Sequence, residues 1–147
     1  MGLAVSAQVI KKKALILATS LLNQKYPVVL VIDNEPAIVE MLRYLLEEDY
    51  KVATCLNSAS AIQQATLLQP DLIIMDVMMP APNGIQVLKS LRCTPALAEV
   101  PVILMTANSR LNTCGISESD LPGLKATIIK KPFDNFELLD LMKDLAR

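Results

Sequence analysis

A chain of 147 residues with 52% apolar and 20% charged residues has the size and composition of one globular domain, not of a disordered tail. Its formal charge of −1 and its one obvious basic run, Lys11 to Lys13, exclude a surface that tracks nucleic-acid phosphates. The absence of histidine removes Ser-His and Cys-His catalysis and histidine metal ligation, leaving carboxylates, hydroxyls, amines and a metal for any chemistry.

Residues 1–26 precede the first convincing strand. The apolar run 14–22 is shorter than the roughly 20 residues a membrane span needs, and the lysines ahead of it do not form a signal peptide. The expectation is a soluble amphipathic helix, an extension ahead of a domain over 27–147, with no membrane partner. Cys55, Cys93 and Cys114 are odd in number and widely spaced, which fits neither a disulfide framework nor a zinc site. Idle thiols in a reducing, cytoplasmic compartment are the expectation.

From Pro27 onward, short apolar runs alternate with helical patterns, the rhythm of an α/β parallel sheet covered on both faces. Residues 28–32 (VVLVI) read as a buried strand, and Pro36 suits the first turn of a helix reaching about residue 48. Residues 52–56 read as a second strand, and Ser58 as the cap of a helix that Pro70 stops. A third strand, 72–75, ends on Asp76, and Pro80, Pro82, Asn83 and Gly84 mark a loop into a helix over 85–92. A fourth strand over 102–105 ends at Thr106. In 109–125, Gly115, Pro122 and Gly123 predict a short or irregular connection. Residues 126–130 read as a fifth strand, and Asp134 with Glu137 as a capping box opening a last helix that ends the chain.

The polar residues gather at the carboxyl ends of these strands, where an open parallel sheet binds its ligands. They are Asp33, Asn34 and Glu35 after the first strand, Asp76 after the third, Thr106 after the fourth, and Lys130 and Lys131 after the fifth. Two carboxylates and an amide oxygen suit a hard divalent cation such as Mg2+; a nearby hydroxyl and ammonium would complete a phosphoryl site. Singly, each has a plainer reading: Asp33 or Asn34 as a helix cap, Asp76 as a turn residue, Lys131 as a solvated strand end.

The segments VVLVIDNEP, LIIMDVMMPAPNG, VPVILMTAN and IIKKPF, in this order, resemble the receiver domain of two-component response regulators, of the chemotaxis-regulator type, over about 27–147. The resemblance implies a doubly wound, flavodoxin-like fold, a three-layer sandwich with five strands in the order 2-1-3-4-5. It implies that Asp76 is the phospho-acceptor and Asp33 an acidic ligand of Mg2+, with Asn34 and the backbone carbonyl of Met78 completing the metal site. Thr106 would turn towards the phosphoryl group and Lys131 pair with it, across a cis Lys131–Pro132 bond. Ala107 is small, which leaves room for a donor. The donor would be a sensor histidine kinase or a phosphotransfer protein, and a stand-alone receiver would then signal through contacts with an effector protein. Any enzymatic activity would be self-phosphorylation and slow self-dephosphorylation, since Met78 and Asn108 orient attacking water poorly.

This chain departs from the family in two places. Asn34 stands where a second aspartate is usual, and Ile128 where a switching Tyr or Phe is usual, so Thr106 and the segment 109–125 are expected to carry the change. The rival reading is a pseudo-receiver, an interaction module that is never phosphorylated. An aspartyl-phosphate hydrolase would need an acid at Met78, and a dinucleotide enzyme a glycine-rich turn after the first strand.

Overall fold

The computed structural model describes residues 2–107, 111 and 114–145. Its elements run α1 (Gly2–Lys25), β1 (Val28–Ile32), α2 (Pro36–Leu46), β2 (Lys51–Cys55), α3 (Ala61–Leu68), β3 (Leu72–Asp76), α4 (Gly84–Arg92), β4 (Val102–Thr106), β5 (Ala126–Lys130) and α5 (Asn135–Leu145). All strand pairs are parallel, in the order β2-β1-β3-β4-β5. The order reverses between β1 and β3, which opens a crevice above their carboxyl ends.

β3 and β4 are buried along their whole length, which is why they read as unbroken apolar runs. Side chains alternate between two cores. Leu30, Ile32, Ile73, Met75 and Leu104 face α3 and α4, with Ala61, Ala65, Leu88 and Leu91. Val29, Val31, Ile74, Ile103 and Met105 face α2 and α5, with Leu42, Leu46, Leu138 and Met142. Each fully buried Leu, Ile or Val contributes about 1.5–3 kcal/mol, so these two layers hold the strand ends in place.

Boundaries shift where pairing outweighs local pattern. β2 begins at Lys51, whose amide bonds Pro27 O at 2.9 Å and which pairs with Val28, while Leu56 falls outside the strand and is exposed. α2 closes at Leu46 because the amides of Asp49 and Tyr50 both bond Leu46 O, turning the chain into β2. The cap before α3 is Asn57, whose side chain accepts from Ala59 N at 3.0 Å and opens a 3-10 turn at Ser58–Ser60. Asn83 and Gln86 form the capping box of α4. Asp134 Oδ1 accepts from Phe136 N at 2.6 Å, opening α5; the predicted end at Arg147 lies outside the described residues.

The N-terminal helix is present, but its expected single apolar face is not. Val9, Ile10, Leu15, Ile16 and Leu17 are all exposed, and at 100° per residue they are spread around the axis. No helix among the described residues is long and apolar enough to cross a membrane.

Between β4 and β5 the described residues hold no α-helix, only 3-10 turns at Glu118–Asp120 and Pro122–Leu124. Gly115 (φ 81°) and Lys125 (φ 50°) take left-handed conformations. Arg92 secures this connection from below. Its Nε donates to Leu124 O at 2.6 Å, Nη1 to Leu97 O at 3.0 Å and Nη2 to Val100 O at 2.6 Å, and burial pushes the guanidinium pKa down. Hydrogen bonds from a charged group contribute about 1.5–3 kcal/mol each, and orphaned carbonyls add a penalty. Less the cost of burying the guanidinium, Arg92→Met should lose at least about 3 kcal/mol in urea unfolding, and Arg92→Lys should restore only part, because an ammonium lacks the planar fork. A variant as stable as wild type would show that water replaces the clamp.

Candidate functional site

Four polar side chains are buried among the described residues: Asp33, Ser58, Asp76 and Thr106. Three of them stand at the ends of β1, β3 and β4, held by backbone bonds that continue past the ladders. Asp33 N donates to Cys55 O at 3.1 Å, Val77 N to Met105 O at 3.0 Å, and Lys131 N to Thr106 O at 2.7 Å. The last bond delivers Lys131 to the crevice.

Lys131 Nζ lies 3.1 Å from Asp76 Oδ1 and 3.7 Å from Asp33 Oδ2. Asp33 Oδ1 accepts from Glu35 N at 2.9 Å, but Oδ2 is buried without a hydrogen bond. Desolvation is the main cause that pushes the Asp33 carboxyl above its ordinary 3.8; the Glu35 amide opposes it, the Asp76 charge adds to it, and Lys131 opposes it. An unbonded buried oxygen beside a second carboxylate suits a hard cation.

Of the residues singled out in the sequence, the structure brings Asp33, Asp76 and Lys131 into contact and sets Thr106 beside them, the last residue of β4 and 1% exposed. Asn34 is exposed on the turn into α2 and Met78 is 47% exposed two residues past Asp76. No cluster of three acidic or cysteine side chains that could hold a metal occurs among the described residues. Ala107 is exposed, and Asn108 lies outside the described residues. The Lys131–Pro132 bond is cis, as expected, and so is Ala81–Pro82.

Two residues were missed. Ser58 is not a cap: its buried hydroxyl donates to Pro80 O at 3.1 Å, tying the loop after β2 to the loop after Asp76. Gly84 is more than a turn residue, because a Cβ there would run into the backbone of Asp76 and Val77, while its amide donates to Val77 O at 2.9 Å. Only glycine lets α4 start this close to the end of β3.

A family model described as the response regulator receiver domain matches residues 29–143. A probable transcriptional regulator, ycf29 of Porphyra purpurea, is 32% identical over 120 residues, covering 79% of this chain and 54% of the relative. Among solved structures, chemotaxis protein CheY4 of Vibrio cholerae shares the fold with a TM-score of 0.72 at 24% identity, covering 82% of this chain and 98% of that one. The signal receiver domain of a histidine kinase from Syntrophus aciditrophicus gives 0.68 at 30% identity, covering 82% and 89%. The chain spans about half the length, or less, of the curated relatives it matches. With a sheet in the order 2-1-3-4-5 and acidic residues at the ends of β1 and β3, the chain belongs to the receiver domain family of two-component response regulators.

Proposed function

We propose that residues 27–147 accept a phosphoryl group on Asp76 from a histidine kinase or a phosphotransfer protein, with Mg2+ bound, and signal through contacts with another protein. The observation that carries this reading is Lys131 Nζ held between two strand-end carboxylates, 3.1 Å from Asp76 and 3.7 Å from Asp33. An Asp76 oxygen attacks phosphorus; the bond from phosphorus to the donor's nitrogen or oxygen breaks, and its electron pair leaves with the donor. Lys131 pairs with a phosphoryl oxygen, and the Thr106 hydroxyl turns towards another. Asp33, Asp76, the side-chain oxygen of Asn34 and the Met78 carbonyl would hold Mg2+, which supplies positive charge against the phosphoryl oxygens.

A groove of about 480 Å³ opens beside Lys131, lined by Ile38, Met41, Ala107, Pro132 and Phe133. Its apolar walls suit the helix of a phosphoryl donor. Output falls to Thr106 and the segment 109–125, because Ile128 has no ring to swing inward. The pseudo-receiver reading is favoured by Asn34 and Ile128 and opposed by the Asp33–Lys131–Asp76 contact. Acetyl phosphate with magnesium distinguishes them: intact mass should rise by one phosphoryl group in wild type and stay unchanged in Asp76→Ala. An unchanged wild-type mass under donor excess favours the pseudo-receiver.

Asn34 supplies an oxygen without a charge. A unit charge 4 Å away is worth about 4 kcal/mol at an effective dielectric near 20, but an exposed position loses most of that to solvent. Asn34→Asp should bind Mg2+ roughly tenfold more tightly, about 1.4 kcal/mol. Equal affinity in calorimetric titration would place residue 34 outside the metal site.

A further inference from the structure

We infer that α1 is a dimerisation helix that pairs in parallel with α1 of a second copy of this chain. Ala7, Ile10, Ala14 and Leu17 recur at steps of three, four and three residues, the spacing of a coiled-coil seam. The same spacing continues in the sequence to Leu3 and Leu21. Within the described part the seam is open: Ile10 is 65% and Leu17 62% exposed, and Ala7 and Ala14 are exposed as well. An isolated helix draws most of its stability from packing an apolar face, and a helix rich in apolar residues all round calls for a cover.

Charge placement leaves a parallel pair free of opposed lysines. With Ala7 and Ala14 at the first seam position of each heptad, Lys11 and Lys13 flank the seam and Lys12 points away from it. In a parallel pair each flanking residue meets the one five positions along on the partner helix. Lys13 then meets Ala18 of the second copy, and Lys11 meets its Ser6, so no lysine opposes a lysine. The lysine stems can lie along the seam while their ammonium groups stay in water. The uncharged arc of about 160° that the three lysines leave coincides with the seam, so a lipid surface would compete for the same residues.

The test is sedimentation equilibrium of the full chain over roughly a hundredfold concentration range, since a homodimer's population follows concentration. Mass should rise from 16.1 kDa towards twice that value. Ile10→Lys and Leu17→Lys should hold it at the monomer, while Ile16→Lys, off the seam, should leave dimerisation unchanged. Far-UV circular dichroism should show wild-type helicity rising with concentration, a readout that does not depend on how the variants fold. With Cys93 and Cys114 changed to Ser, Ala7→Cys should cross-link to itself under oxidation, which an antiparallel pair does not permit. A monomer at every concentration, equal effects of Ile10→Lys and Ile16→Lys, or sedimentation with phosphatidylglycerol vesicles in place of self-association would each overturn the inference.

Discussion

Asp33→Asn should be more stable than wild type in metal-free buffer and should lose the stabilisation that Mg2+ gives wild type. Asp33 is fully buried, and its Oδ2 has no hydrogen bond. An unsatisfied buried group costs about 1–3 kcal/mol, and more when charged, so neutralising it should raise the midpoint by a few degrees. The pH dependence has a definite sign. Burial raises the folded-state pKa above 3.8, so between the two values the folded protein holds more protons than the unfolded one. Its stability is therefore full below 3.8 and falls as pH rises through the folded pKa. The variant lacks this loss, and its advantage should grow across the same window. Thermal melts with and without Mg2+ at several pH values check this; a variant that still gains from Mg2+ would move the metal away from Asp33.

Lys131→Met should lower phosphoryl transfer by about 10²–10³-fold while tightening Mg2+ binding. The two effects oppose each other, so their sizes decide the outcome. Removing a cation 3.1 Å and 3.7 Å from the two carboxylates favours another cation, but Lys131 keeps a quarter of its side-chain surface in solvent, which limits the gain. A donor aimed at charge developing in the transition state is worth about 2.7–4 kcal/mol. Transfer is therefore lost despite tighter metal. Single-turnover phosphorylation at saturating Mg2+ separates the two; a wild-type rate there would assign Lys131 to metal control alone.

Much of this was legible in the sequence. β1 carries the predicted bounds because a buried parallel strand is an unbroken apolar run, and β5 carries its predicted bounds as a half-buried edge strand that includes Thr127 and Lys130. The irregular link after β4 was announced by Gly115, Pro122 and Gly123, which no regular helix accommodates. The site was legible because its residues stand at strand ends, where topology, not side-chain pattern, brings Asp33, Asp76 and Lys131 together. What the sequence hid depends on neighbours distant along the chain. Ser58 and Asn57 are both good caps, and only the carbonyl of Pro80 decides which hydroxyl or amide turns inward. Arg92 looked like an ordinary charged helix end until the loops carrying Leu97, Val100 and Leu124 folded over it. Gly84 looked like loop punctuation, whereas its role is set by the backbone of Asp76.

The most direct test of the central claim is to trap the acyl phosphate. Full-length protein treated with acetyl phosphate and Mg2+ is reduced with borohydride, which converts an aspartyl phosphate to homoserine, and the modified peptide is sequenced by mass spectrometry. Homoserine should appear at position 76, with none in a magnesium-free control. Homoserine at position 33, or no conversion at any aspartate, would contradict the account.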